Sequence, residues 1–106
     1  MDLEEIKAKI KRGDYDLSQH AHQERQAEEI TTEEIEGAIL TGEIIERYKR
    51  DPRGESVLIA GESTGRSLHV VCGKRSDRIL IVTVYEPKPP KWLSYKTRGR
   101  EVKSRV

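Results

Sequence analysis

Cysteine, aromatic residues and long apolar runs are all scarce in this sequence of 106 residues. Its one cysteine, Cys72, cannot form an internal disulfide, which favours a reducing compartment such as the cytoplasm. Phenylalanine is absent, so the core must be built mainly from aliphatic side chains. No stretch approaches the roughly 20 apolar residues of a membrane helix, and residues 1–13 contain no apolar signal core. We therefore expect a soluble cytoplasmic protein with no membrane partner.

Charged residues are abundant but balanced in sign. They make up 37% of the chain, against 34% hydrophobic residues, and the net charge is +1. This balance is typical of a solvated surface and argues against nucleic-acid binding through overall charge, although it leaves a local basic patch open. The length predicts one domain, which we assign to residues 1–98, and residues 99–106 are expected to form a frayed C-terminal tail.

Local patterns predict an α+β fold, with N-terminal helices followed by a four-stranded antiparallel meander. Helix start and stop signals, including a capping box that begins at Thr31, predict three helices before Gly42. The segment Tyr15–Leu17 between the first two helices is interpreted as a connector. Apolar runs bounded by turn residues then predict four strands, at Glu43–Tyr48, Ser56–Ala60, Ser67–Gly73 and Arg78–Tyr85.

The last two strands are predicted to form the central hairpin of the sheet, with Lys74–Asp77 as a four-residue loop. If Gly73 pairs with Arg78, both faces of the hairpin are largely apolar, which predicts that both are covered. One face would then carry Leu68, Val70, Cys72, Ile79, Ile81, Thr83 and Tyr85, and the other would carry His69, Val71, Leu80, Val82 and Val84.

Histidines are the first candidates for acid–base chemistry, because they titrate near neutral pH. His20 and His22 would point about 200° apart on a helix, so they cannot share a metal ion there. His69 and Cys72 would point to opposite faces of a strand. We therefore expect no metal site and no cofactor. His69 is either a buried, hydrogen-bonded histidine or an imidazole that faces a cleft.

Cleavage of RNA through its own 2′-hydroxyl is a reaction that the available residue types can support without a cofactor. It needs a base, an acid and cations near the scissile phosphate. The sequence has no phosphate loop, dinucleotide fingerprint or serine-nucleophile elbow that would favour another chemistry. The residues of suitable type are His20, Arg25, Arg66, His69, Tyr85 and Arg98.

The segment after Tyr85 differs in composition from the rest of the chain. Its prolines prevent it from joining a sheet interior, and aromatic and basic residues alternate after them, including Trp92, Lys96 and Arg98. Either Trp92 anchors this segment on the body of the domain, or the segment binds RNA or a protein partner, with bases stacked on Trp92.

Several short motifs occur together in a characteristic order. They are Ser18–Ala21 (SQHA), Leu68–Val71 (LHVV) and Thr83–Pro87 (TVYEP), followed by Trp92 and Lys96–Arg98. In this order they resemble a family of small bacterial and archaeal domains of unknown function, which is itself similar to toxins of the BrnT and RelE types. The resemblance implies a compact BrnT/RelE-like domain of a toxin–antitoxin pair, with RNA and an antitoxin protein as its partners.

From this resemblance we expect a toxin-like domain that cleaves or binds RNA, and a metal-independent endoribonuclease if it is an enzyme. Two alternatives stay open, a non-catalytic protein-interaction domain on the same fold and a homodimer formed through a sheet face. The candidate catalytic residues are His20, Arg66, His69 and Tyr85, and the candidate RNA-binding residues are Arg25, Trp92, Lys96 and Arg98.

Overall fold

The computed structural model of the chain describes residues 1–50, 52 and 54–88, together with the backbone of 92–94 and 97–98. Three helices and seven strands lie in these residues. In chain order they are α1 (Leu3–Arg12), β1 (Tyr15–Leu17), α2 (Gln19–Ala27), α3 (Thr32–Thr41), β2 (Glu43–Tyr48), β3 (Ser56–Ser63), β4 (Arg66–Arg75), β5 (Arg78–Tyr85), β6 (Trp92–Ser94) and β7 (Thr97–Arg98).

The main sheet has five strands, in the order β1-β5-β4-β3-β2, and β6 pairs with β7 in a separate two-stranded sheet. The α+β class is therefore confirmed, but the predicted sheet was one strand too small. The interpretation of Tyr15–Leu17 as a connector was wrong, because these residues form β1 and pair in parallel with Ile79–Ile81 of β5. A three-residue strand is too short to show periodicity in the sequence, so only its partner strand defines it.

Local side-chain signals set the helix ends as the sequence predicts. The Asp2 carboxylate accepts a hydrogen bond from the backbone N–H of Glu4 at the start of α1, and Gly13 ends that helix in the left-handed conformation with φ 77°. Thr31 and Glu34 form the predicted capping box of α3. These interactions need only neighbouring residues, which explains why the sequence alone locates the helices.

The hydrophobic core lies between the three helices and one face of the sheet. Helix α3 approaches β3 so closely that a Cβ atom built on Gly61 would lie 1.8 Å from the carbonyl oxygen of Ala38. Gly61 is therefore needed for this close helix–strand contact. The buried core residues are Ile6, Ile10, Ala21, Ile30, Ile35, Ala38, Ile39, Val57, Ile59, Leu68, Val70, Cys72, Ile79, Ile81 and Val84.

The central hairpin closes through a shorter turn than predicted. Arg75 pairs with Arg78, and Gly73 pairs with Leu80. The loop therefore consists of two residues, of which Ser76 has a positive φ of 57°. The predicted pairing of Gly73 with Arg78 was wrong, because the charged residues Lys74 and Arg75 continue the strand instead of leaving it.

A β-bulge at Val82 changes which side chains of β5 face the core. Val71 pairs with Thr83 and Cys72 pairs with Ile81, so Val82 is an extra residue on β5. An extra residue reverses the alternation of every side chain beyond it. Val84 consequently lies in the core, whereas Thr83 and Tyr85 lie on the opposite face, so the predicted faces of these three residues were wrong.

None of the helices in the described part of the chain combines the length and the apolar character that a membrane span requires.

Candidate functional site

The face of the main sheet that is turned away from the helices carries two of the candidate catalytic residues, His69 and Tyr85, and we call it the second sheet face. It is only partly apolar, because polar residues of β2, β3, β4 and β5 interrupt it. By strand register it includes Glu46, Tyr48, Ser56, Leu58, Ala60, His69, Val71, Gly73, Leu80 and Tyr85.

His69 and Tyr85 are paired on this face. They are cross-strand partners on β4 and β5, and 3.1 Å separates Nδ1 of His69 from the hydroxyl oxygen of Tyr85. Their rings meet edge to face, with centroids 5.2 Å apart. His69 is fully buried, at 0% exposure, whereas Tyr85 is half-buried. Tyr85 is thus the member of the pair that reaches the surface, and His69 orients its hydroxyl.

A second pair that includes a tyrosine lies on the same face, at the edge of the sheet formed by β2. The hydroxyl of Tyr48 donates a hydrogen bond of 2.5 Å to Oε1 of Glu46. Both residues belong to β2 and share the second sheet face because they pair with Ser56 and Leu58 of β3. Sequence reasoning did not select Glu46 or Tyr48, although their i, i+2 spacing on a strand could have indicated a common face.

Arg66 does not lie with His69 and Tyr85, because residues three apart on a strand point to opposite faces. Its guanidinium instead joins the end of α2 to the start of α3 and to the residue after β5. It donates to the backbone carbonyl oxygens of Glu28 and Glu29, at 2.5 and 3.0 Å. It also donates to the carboxylates of Glu34 and Glu86, each at 3.3 Å. Arg66 is thus held by four oxygen atoms and connects distant parts of the fold.

His20 stands apart from His69 and Tyr85, at the start of α2. Its side chain is 64% exposed, and Nε2 lies 3.2 Å from the carboxylate of Glu24, one helical turn later. The other oxygen of Glu24 accepts a hydrogen bond from the backbone N–H of Val84. His20 therefore belongs to a row of polar residues between α2 and the edge of β5.

This row explains why α2 has so few apolar residues. β1 pairs with only the first half of β5. Along the rest of that edge, none of the described strands lies beside β5, and side chains of α2 and its cap bind the backbone there. Ser18 donates to the carbonyl of Val82, and Glu28 accepts from the N–H of Glu86, in the same way as Glu24 binds Val84. The polar face of α2 thus covers a sheet edge. The sequence did not indicate this role, because carboxylates on a helix are usually solvated.

A pocket of about 170 Å³ opens on the second sheet face between the start of α2 and the strands. The Oγ atom of Ser56, a residue that is only 5% exposed, has no hydrogen-bond partner within the described residues. Sequence reasoning missed this pocket, because its lining comes from four separate segments of the chain. The lining residues are Ser18, His20, Gly54, Glu55, Ser56, Gly73, Lys74, Leu80 and Val82.

Arg25 is the candidate RNA-binding residue whose side chain the structure describes. Arg25 is half-buried on α2, and its Nε atom has no hydrogen-bond partner in the described part of the chain. Trp92 and Arg98 are backbone partners across β6 and β7, and Lys96 lies outside the described residues. Among the described side chains, the geometry does not join Arg25 to the pair formed by His69 and Tyr85, and the positions of the other three side chains lie outside the described part of the chain.

Cys72 lies in the core, where burial raises the pKa of its thiol to about 12. The thiol is thus protonated near neutral pH and is a structural residue. Across residues 1–50, 52 and 54–88, no three His, Cys, Asp or Glu side chains cluster closely enough to hold a metal ion.

Comparison with known proteins identifies a family but no individual relative. Residues 17–86, more than half of the chain, match the model of a family described as a domain of unknown function (DUF4258). The match extends from the end of β1 to the residue after Tyr85, so it contains the second sheet face and the whole of α2. No curated protein and no solved structure matches the chain.

Proposed function

The chain belongs to the DUF4258 family, and from that premise we propose that it is a toxin-like domain that cleaves RNA without a metal ion on its second sheet face. The observation that carries the proposal is the pair formed by the buried His69 and the half-buried Tyr85, 3.1 Å apart. The resemblance to BrnT and RelE toxins adds an antitoxin protein as the partner that would cover this face.

The pair supplies one of the two proton transfers that RNA cleavage requires. The 2′-oxygen attacks the neighbouring phosphorus and the bond to the 5′-oxygen breaks, which leaves a 2′,3′-cyclic phosphate and a 5′-hydroxyl. In the proposal the Tyr85 hydroxyl donates the proton that the departing 5′-oxygen needs, and His69 restores it through Nδ1. His69 is then a positioning residue, because its burial keeps it from the substrate.

The other proton leaves the attacking 2′-hydroxyl, and we assign its acceptor to a water molecule at the substrate. The Glu46 carboxylate does not take this role, because it lies on β2, three strands away from Tyr85 on β5, which is about 14 Å at the usual strand spacing. Arg25, Trp92, Lys96 and Arg98 remain the proposed RNA-binding residues. His20 and Arg66 move out of the proposed catalytic centre, since His20 pairs with Glu24 and Arg66 joins helices to strands.

Mapping of new RNA 5′ ends in bacteria, after brief induction of the protein, tests the proposal and also detects cleavage that needs a ribosome. We expect new 5′-hydroxyl ends with the native protein and at least a tenfold loss with Tyr85→Phe, which removes the hydroxyl that donates the proton. Tyr15→Phe is the matched control. Tyr15 also loses one hydrogen bond, to Glu36, but lies on the edge strand β1 and packs against the core.

Equal cleavage by the native protein and the Tyr85→Phe variant would remove Tyr85 from the mechanism. An absence of new ends, together with normal growth, would favour a second candidate, a non-catalytic protein-interaction domain. The complete burial of His69 and the four-oxygen coordination of Arg66 favour that candidate, since both residues then serve the fold alone.

A further inference from the structure

We infer that the pocket beside Ser56 binds a single nucleobase of the RNA strand that crosses the second sheet face. The inference rests on the proposed function and adds a specificity site to it. The pocket lies at the start of α2. Three residues that are neighbours across β3, β4 and β5 line it together with two residues of the helix start, namely Ser56, Gly73 and Leu80 with Ser18 and His20.

Ser56 is the residue that identifies the pocket as a ligand site. Ser56 is only 5% exposed, and its hydroxyl has no hydrogen-bond partner among the described residues. An unsatisfied buried hydroxyl destabilises a folded protein, because folding removes its hydrogen bonds to water without replacing them. A ligand with a hydrogen-bonding edge would satisfy Ser56 and remove this cost on binding.

The dimensions of the pocket limit the size of the ligand. Its volume of about 170 Å³ is well below the roughly 300 Å³ at which pockets for drug-sized ligands begin. It therefore has room for one ring system and leaves the sugar and phosphate outside. Gly73 keeps it open, because a Cβ atom there would lie 3.8 Å from the side chains of both Ser56 and Val82.

The chemistry of the walls favours a nucleobase over an aliphatic side chain of a partner protein. Leu80, Val82 and the bare backbone of Gly73 offer apolar surfaces to the faces of a flat ring. An aliphatic group would fill the same space but leave the Ser56 hydroxyl without a hydrogen bond. A nucleobase combines apolar faces with polar edges, as base-reading pockets require.

The pocket also lies on the path that RNA would take from the proposed centre. His69, the partner of Tyr85, precedes Gly73 by four residues on β4, which is about 13 Å along a strand. His20 stands at the mouth with a 64% exposed side chain, where its ring can contact the ribose or phosphate outside the pocket. One strand of RNA can thus reach both places.

Titration of the ¹⁵N-labelled protein with the four ribonucleoside 5′-monophosphates, followed by NMR, tests the inference directly. We expect one base to shift the amide signals of residues 54–56, 73–74 and 80–82 at lower concentration than the others. No shift with any nucleotide, or shifts confined to other surfaces, would overturn it. Saturable shifts of the same amides by N-acetyl-leucine amide, with none by nucleotides, would also overturn it and assign the pocket to a protein partner.

Two variants separate binding from folding. Ser56→Ala should weaken nucleotide binding about fivefold, the equivalent of one hydrogen bond, and should raise the melting temperature, because it removes the unsatisfied hydroxyl. Gly73→Ala should weaken binding by narrowing the pocket. Ser67→Ala is the control, since Ser67 is on the same sheet but its hydroxyl binds Glu62 at 3.3 Å. Unchanged binding by both pocket variants would overturn the inference.

The result is independent of catalysis, because mononucleotides contain no bond for the protein to cleave. Binding in the pocket without new RNA ends in cells would support the inference and contradict the proposed cleavage. New RNA ends without nucleotide binding in the pocket would support the cleavage and overturn the inference.

Discussion

The hydroxyl of Tyr85 lies 3.1 Å from Nδ1 of His69, although uninterrupted alternation from Gly73 and Arg78 would place the two side chains on opposite faces of the sheet. The extra residue at Val82 brings them together, because it reverses the alternation of β5 after Ile81. The same bulge directs Val84 into the core, where it is fully buried. The extra residue Val82 thus places Val84 in the core and Tyr85 beside His69.

The hydrogen bond between Tyr85 and His69 should contribute to stability as well as to the proposed chemistry. We expect Tyr85→Phe to lower the free energy of unfolding by about 1 kcal/mol, because the phenyl ring keeps the edge-to-face contact and only the hydrogen bond is lost. Urea denaturation of the two proteins measures the difference. An equal or higher stability of the variant would show that the pair is not a structural contact.

Arg66 should tolerate no conservative replacement. Arg66→Lys keeps the positive charge but cannot contact two carbonyls and two carboxylates at once, so we expect a loss of about 1–3 kcal/mol. Arg12→Lys is the control, because the Arg12 side chain is 59% exposed and forms an ion pair with Asp14, and exposed ion pairs contribute about 0–1 kcal/mol. In denaturant unfolding, Arg66→Lys should therefore be much less stable than Arg12→Lys. Equal losses would contradict the central role of Arg66.

Glu29 occupies a position at the end of α2 that favours glycine. Its φ is 55°, and the N–H groups of Glu29 and Ile30 bind the carbonyls of Gln26 and Arg25, which is a Schellman motif. We expect Glu29→Gly to raise the free energy of unfolding by about 1 kcal/mol, because left-handed backbone is unfavourable for a residue with a Cβ atom. Glu29→Ala removes the same carboxylate but keeps the Cβ atom, so thermal unfolding should show no gain for it.

Gly61 and Gly73 lie on neighbouring strands but should respond differently to a methyl group. A Cβ atom on Gly61 would lie 1.8 Å from the Ala38 carbonyl oxygen, whereas one on Gly73 would make ordinary contacts of 3.8 Å. We expect Gly61→Ala to cost about 3 kcal/mol or more, because α3 must move away from β3. Gly73→Ala should change stability by less than about 1 kcal/mol. Similar melting temperatures of the two variants would contradict the tight packing of α3.

The free energy of unfolding should fall in acid, because the capping box of α3 contains a carboxyl group, that of Glu34, that becomes protonated. The backbone N–H of Thr31, with further hydrogen bonds from Thr64 and the charge of Arg66, lowers the pKa of the Glu34 carboxyl below its usual value. A carboxyl whose pKa is lower in the folded state stabilises the fold above its unfolded-state pKa, about 4.3, and this stabilisation disappears as the pH falls.

The comparison of Glu34→Gln with the native protein between pH 6 and pH 3 measures this contribution. Glutamine retains the geometry of the capping box but cannot titrate, so the melting temperature of the variant should fall less steeply in acid. Glu33→Gln, an exposed neighbour in the same helical turn, is the control and should follow the native curve. Parallel curves for all three proteins would exclude Glu34 as an acid-sensitive group.

The candidate site shows which functional residues can be predicted from residue types alone. The sequence selected His69 and Tyr85 as two of four candidate catalytic residues and predicted them on opposite faces, whereas the structure brings them together. It also selected Arg66 and His20, which the structure separates from that pair, since strand alternation turns Arg66 to the other face and Glu24 holds His20 near the edge of β5. Ser56, Glu46 and Tyr48 carry no signal by themselves and gain meaning only from their neighbours across the sheet.

Caps, turns and apolar periodicity act over a few neighbouring residues, so the helix ends, the aliphatic core and the α+β class can be predicted without a structure. Folding of the whole chain adds the fifth strand, the faces of β5 beyond Val82, the connecting role of Arg66 and the pocket at Ser56. Each of these depends on which distant segments lie side by side. A single inserted residue moves every later side chain of a strand to the opposite face of the sheet. The arrangement of distant segments therefore depends on the packing of the whole chain.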